Sequence, residues 1–158
     1  MEQTEKQIME ILIKDSQNLC ELPEDRIRAA AATLLEALEK TEAELSLLIT
    51  DDPQIAEINQ TYLNRQGPTN VIAFPMGDPG FAGIYPELLG DVVISVETAQ
   101  REASDAGYSM EERFTELLVH GILHLLGYDH ETNEEDARQM AEKSRELMKI
   151  LRRKQKEL

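Results

Sequence analysis

Three histidines carry the chemistry legible in this chain. His120, His124 and His130 are its only histidines and fall in one window, Val119-His120-Gly121-Ile122-Leu123-His124-Leu125-Leu126-Gly127-Tyr128-Asp129-His130. His120 and His124 stand four apart on a predicted helix, so their imidazoles share one face and can reach one ion. Gly127 can take a left-handed conformation and end that helix, and the chain can then turn back to bring His130 to the same ion. Three neutral nitrogens and one open position are the pattern of a catalytic zinc site, whereas structural sites are closed by four protein ligands. Zinc is the first choice, although nickel, cobalt or copper would accept the same donors.

The spacing His-x-x-x-His-x-x-Gly-x-x-His is similar to that of the metzincin metalloproteases. Those enzymes carry Glu directly after the first His as general base. Here Gly121 stands in that place, which removes most of the weight from a proteolytic reading.

The elements that must position this window form one α+β domain over residues 1–158. Residues 7–14 read as a strand with Ile11 and Ile13 on one face and Leu12 on the other. Pro23, Glu24 and Asp25 start a helix over about 24–40, with Ile27, Ala30, Ala31, Leu34, Leu35 and Leu38 at helical spacing. Glu44–Ile49 is a buried strand, and Asp51-Asp52-Pro53 opens a short helix carrying Ile55, Ile58 and Tyr62. Residues 64–70 are a loop. Val71–Phe74 is a short strand stopped by Pro75, and 75–90 is the longest irregular stretch. Gly90-Asp91 leads into Val92–Val96, the clearest strand. Helices over about 97–106, 110–126 and 133–152 complete a set of about five. The strand-helix-strand start implies a crossover and a small mixed sheet.

Composition excludes several classes. The chain has 158 residues, 41% of them hydrophobic and 30% charged, which is one ordinary globular domain and neither fibrous nor disordered. Sixteen Lys and Arg against 31 Asp and Glu give −15 with neutral histidines, which argues against a protein that coats nucleic acid through a broadly basic surface. One local basic cleft remains compatible with it. Arg65, Arg101, Arg113 and the run Arg152-Arg153-Lys154-Gln155-Lys156 are the local cations, so intrinsic RNA affinity is expected to be weak. Cys20 is the only cysteine, so no internal disulfide forms, and it reads as a small buried hydrophobe rather than an activated nucleophile. Met1–Glu10 has no signal-peptide pattern, and no apolar run is long enough for a membrane span. The expected location is the cytoplasm.

The histidine window closely resembles the signature of the YbeY family of bacterial rRNA-maturation endoribonucleases. Pro68-Thr69-Asn70-Val71-Ile72-Ala73-Phe74-Pro75 and Leu89-Gly90-Asp91-Val92-Val93-Ile94-Ser95 resemble two further stretches of that family, so the likeness spans about 7–150. The resemblance implies an α+β fold and zinc held by His120, His124 and His130. It also implies single-strand-specific endoribonuclease activity in 16S rRNA 3′-end maturation and ribosome quality control. The implied partners are single-stranded rRNA and the small ribosomal subunit or its proteins, with no DNA. The family pattern places an Arg directly after the aromatic residue upstream of the Pro-Thr-Asn stretch. Here Leu63 follows Tyr62, and Arg65 is the nearest arginine able to contact a phosphate. Asp129 is the candidate to relay a proton, and Asp91 the candidate to orient a ligand imidazole. A zinc hydrolase such as a metallopeptidase, and a non-catalytic ribosome-assembly factor with a structural metal, are the competing readings.

Overall fold

The computed structural model describes residues 9–76, 87–129 and 133–156. The elements run β1 (Glu10–Asp15), α1 (Glu24–Ala37), β2 (Glu44–Thr50), α2 (Asp52–Leu63), β3 (Val71–Pro75), β4 (Leu88–Ser95), α3 (Val96–Ala106), α4 (Met110–Leu125) and α5 (Glu134–Lys156). The four strands form one sheet in the order β1-β2-β4-β3. β1 and β2 are parallel, as are β2 and β4, while β3 lies antiparallel to β4. The sheet is therefore mixed, as expected.

Strand alternation sorts the core onto two faces. Leu45, Leu47, Ile49, Val92 and Ile94 point to the larger side, where α1, α4 and α5 supply Leu34, Leu35, Leu118, Ile122 and Leu147. Val93 and Ile72 point the other way and meet Ile55 of α2. β1 obeys the same rule, with Ile11 buried and Leu12 exposed. Helix α4 is enclosed on almost every side. It packs against α1, α3, α5, β3 and β4, and eight of its residues are buried, including Leu117 to Val119 and Gly121 to Leu123. Fully burying one such leucine or isoleucine is worth roughly 1.5–3 kcal/mol, so the helix that carries His120 and His124 is among the most firmly held parts of the chain.

Several boundaries differ from the sequence reading, three of them for a local reason. α1 stops at Ala37 rather than near 40, because Glu39 turns left-handed at φ 60°. Its N–H and that of Lys40 bond back to the carbonyls of Glu36 and Leu35, at 3.0 and 2.7 Å. β4 already includes Leu88 to Gly90, because Gly90 pairs with Pro75 across the hairpin. Those residues are thus strand, not irregular loop. The same strand ends one residue early, since Ser95, still paired with Thr50, also caps α3, and Val96 opens that helix. The expected loop segment 77–86 lies outside the described residues. Among those described, no helix is long and apolar enough to cross a membrane.

Candidate active site

Helix α4 begins at Ser109, whose hydroxyl accepts from the Glu112 N–H at 3.1 Å. Glu111 and Glu112 complement the positive end of its dipole. At the other end Gly127 sits at φ 95°. Its N–H bonds to the His124 carbonyl at 3.0 Å, and the Tyr128 N–H bonds to the Leu123 carbonyl at 3.0 Å. This pair of bonds is a Schellman cap. It ends the helix where the sequence places the end and sends the chain back across the face that carries the histidines.

His120 and His124 meet as their spacing requires. Their Nε2 atoms are 2.9 Å apart, and the ring centroids are 4.5 Å apart with planes at 69°. Two nitrogens at about 2.0–2.1 Å from one tetrahedral ion stand about 3.3 Å apart, so a small ring rotation suits the pair to a shared zinc. Among the described residues no three His, Cys, Asp or Glu side chains form a cluster able to hold a metal. His130, the third expected ligand, lies outside the described residues.

Both rings line a cleft of about 870 Å³ whose wall also includes Arg65, Asn70, Val71, Ala73, Tyr128 and Asp129. Arg65 follows α2, which closes at the left-handed Asn64. The Arg65 N–H bonds back to the Asn59 carbonyl at 3.2 Å, and the residue is exposed at the cleft wall. Leu63, which follows Tyr62, lines the same cleft. Asp129, two residues past the turning Gly127, also faces this space. The structure thus brings His120, His124, Arg65 and Asp129 to one cleft. It does not bring Asp91 there. Asp91 follows the pleat of β4 onto the face of Val93, while Val92, its other neighbour, faces α4. Asp91 is thus not among the residues that line the histidine cleft.

Gly121 explains how closely the histidine helix approaches the sheet. A Cβ at this position would lie 2.6 Å and 3.1 Å from the two γ-methyls of Val92 and 3.3 Å from a methyl of Val71. A side chain after His120 would therefore press on the sheet at once, although Gly121 itself borders the cleft. A larger residue there would crowd Val92, and glycine supplies no carboxylate at the position where a peptidase carries its general base.

The neighbouring loop is held by contacts that the sequence did not announce. The Asn70 side chain accepts from the Val71 N–H at 2.7 Å and donates to both oxygens of Glu102, at 3.1 and 3.2 Å. Glu102 also receives Arg113 at 3.1 Å, and Arg113 reaches Glu116 at 3.2 Å. Burial alone would lower the Arg113 pKa, but Glu116 and Glu102 outweigh it and raise it. The Tyr108 hydroxyl donates to Glu116 at 2.5 Å, and that bond chiefly raises its pKa. Partners 32 residues apart, such as Asn70 and Glu102, leave no local signature.

Two further expectations about charged or reactive groups change. Arg101 is engaged by Asp52 at 2.7 Å and does not face the cleft. Cys20 is exposed rather than buried. Its loop wraps around the buried Gln17, whose side-chain oxygen accepts from the Leu19 and Cys20 N–H groups at 2.8 and 3.1 Å. Partial burial, then Asp15, pushes the Cys20 thiol pKa up, away from nucleophilic use.

An α+β domain with paired imidazoles at the wall of a polar cleft is built as a hydrolytic enzyme. The family described as Endoribonuclease YbeY matches residues 12–152, and the chain belongs to that family. An Endoribonuclease YbeY from Geobacter sulfurreducens is 44% identical over 144 residues, which covers 90% of this chain and 96% of that protein. One from Aquifex aeolicus is 44% identical over 142 residues, covering 90% and 91%. The solution structure of TM1509 from Thermotoga maritima superposes with a TM-score of 0.66 at 22% identity, covering 95% and 93% of the two chains, and shows the same fold.

Proposed function

We propose that this chain cuts single-stranded rRNA at the cleft in front of His120 and His124, using zinc held by His120, His124 and His130. Membership of the family makes it a hydrolytic endoribonuclease, and an endoribonuclease acts on RNA. The convergence of two Nε2 atoms 2.9 Å apart on a cleft shared with Arg65 and Asp129 carries the reading. Bound zinc supplies Lewis acidity, polarising a phosphoryl oxygen and acidifying water near neutral pH. The remaining work falls to the chain itself. The Arg65 guanidinium holds the phosphate bidentately and neutralises charge that builds on its oxygens. Asp129 takes up the proton released at the cleft and returns it to the leaving oxygen. Gly121 seats the histidine helix on Val92, and the Schellman turn at Gly127 orients the segment that leads to His130.

We assign the metzincin-like spacing to the metal and not to peptide cleavage, because Gly121 supplies no carboxylate where those proteases carry their general base. The biological setting we assign is 16S rRNA 3′-end maturation and ribosome quality control in the cytoplasm, with ribosomal proteins presenting the RNA. Elemental analysis of wild type and His124→Ala, with cleavage of single-stranded rRNA on the same samples, tests the reading. About one zinc per chain, lost together with cleavage in the variant, is the expected result. Zinc without cleavage, in the presence of ribosomal partners, would instead make this a non-catalytic assembly factor. Cleavage that survives loss of zinc would overturn the metal-based mechanism.

A further inference from the structure

A second cavity, of about 380 Å³, opens beside the histidine cleft. The two share Asn70 and His120 in their walls. The second is lined by Arg113 of α4 and by Arg145, Lys149 and Arg152 of α5. The spacing 145, 149, 152 places three cations on one helical face, spread over about 10 Å at 1.5 Å per residue. Among the described residues Glu116 is the one carboxylate in the wall, and Arg113 and Tyr108 already engage it. Arg152 is paired with Glu112 at 2.9 Å. Among the described residues, Arg145 and Lys149 form no ion pair and both are exposed.

The patch is notable because the chain as a whole carries −15. At physiological ionic strength the Debye length is about 8 Å, so distant carboxylates are screened and the local cations dominate what a ligand meets there. We propose that this α5 face is a phosphate subsite that grips the single-stranded RNA on one side of the scissile bond. The proposal rests on the endoribonuclease reading of the adjoining cleft and adds where the strand runs. RNA seated at His120 leaves past Asn70 and lays its backbone along Arg145 and Lys149, the two cations not committed to a carboxylate. Because contacts to phosphate oxygens carry no base information, this arm supplies affinity and direction without sequence preference.

The test compares Arg145→Gln/Lys149→Gln with Arg153→Gln/Lys154→Gln in the full, zinc-loaded chain. Both variants lose two positive charges, moving the net charge from −15 to −17, so only position differs between them. The probe is a labelled single-stranded RNA of about 16 nucleotides, near the upper end of single-strand site sizes. Binding is followed by anisotropy across salt, and kcat and KM by cleavage. Two lost phosphate contacts should reduce the slope of log K against log salt by about 1.4, so that between about 50 and 200 mM salt the wild type weakens about sevenfold more than the subsite variant. KM should rise in that variant with kcat unchanged, and the 153/154 variant should behave as wild type. Equal losses in both variants would overturn the subsite in favour of diffuse electrostatics. A subsite variant with wild-type KM and salt slope on an RNA that the wild type cuts would overturn the subsite alone. Wild-type protein that carries zinc yet cuts no RNA would overturn both the subsite and the reading beneath it.

Discussion

Replacing Gly121 with alanine adds one methyl group at the tightest contact between the histidine helix and the sheet. The new carbon would lie 2.6 Å from Cγ1 of Val92 and 3.1 Å from Cγ2, where ordinary carbon contacts are about 3.5–4.0 Å. Turning Val92 about χ1 does not help, since both of its methyls flank the position and a β-branched side chain has few alternatives. Val92 is fully buried, so α4 itself must move. Overpacking of this kind costs about 1–3 kcal/mol, and alanine regains about 1 kcal/mol of helix propensity. The net loss is thus about 0–2 kcal/mol, too narrow a margin to judge from one variant. A double-mutant cycle with Val92→Ala isolates the contact. Val92→Ala alone opens a cavity and should cost about 2 kcal/mol, but in the Gly121→Ala background the added methyl fills that space and the cost should nearly vanish. Urea unfolding at fixed zinc gives the four stabilities, since a ligand of the folded state alone would otherwise shift them. Cleavage should fall in Gly121→Ala and recover in the double variant as α4 returns to its seat. If Val92→Ala costs the same in both backgrounds, the two residues are not in steric register and the account of this helix is wrong.

Other perturbations follow from the same geometry. Gly127→Ala forces a side chain into φ 95° and should cost about 1–2 kcal/mol in urea unfolding, with a weaker zinc affinity by competition titration. Glu39→Gly should stabilise the chain by about 0.5–1 kcal/mol in the same assay, because the left-handed C-terminal turn of α1 at φ 60° is then unstrained, less the greater entropy of glycine in the unfolded state. Asp52 is partly buried, which alone would raise its pKa, but Ser95, Thr98 and Arg101 outweigh this and hold it below its ordinary 3.8. A depressed folded value stabilises above the ordinary pKa and is lost as pH falls through the folded one. Asp52→Asn should therefore be less stable than wild type at neutral pH, and the gap should close on acidification below 3.8; a gap that persists in acid would contradict it.

The sequence was most readable where the physics is local. His120 and His124 meet because four residues make about one helical turn, and Gly127 ends the helix because it is free to turn left-handed. The end of α1 was hidden because Glu39 performs the same turn without a glycine to mark it. The start of β4 was hidden because Leu88 to Gly90 read as loop by composition, while pairing with Pro75 makes them strand. The side that Asp91 serves was hidden by parity, since one step along a strand changes which side of the sheet a side chain faces. Arg145 and Lys149 escaped notice because their value depends on α5 lying beside α4, which no local pattern announces.

Among the described residues, the strand order leaves β3 at the margin of the sheet, paired with β4 alone. Its residues Val71, Ala73 and Pro75 also line the histidine cleft. An unpaired strand margin invites a further strand, and proteins blunt such margins with short length and proline. β3 is five residues long and ends in Pro75, which has no N–H to offer a ladder. The same features that discourage self-assembly therefore stand in the wall of the histidine cleft. An extended peptide designed to pair with Val71 to Phe74 would lie along the wall of that cleft and is expected to inhibit RNA cleavage.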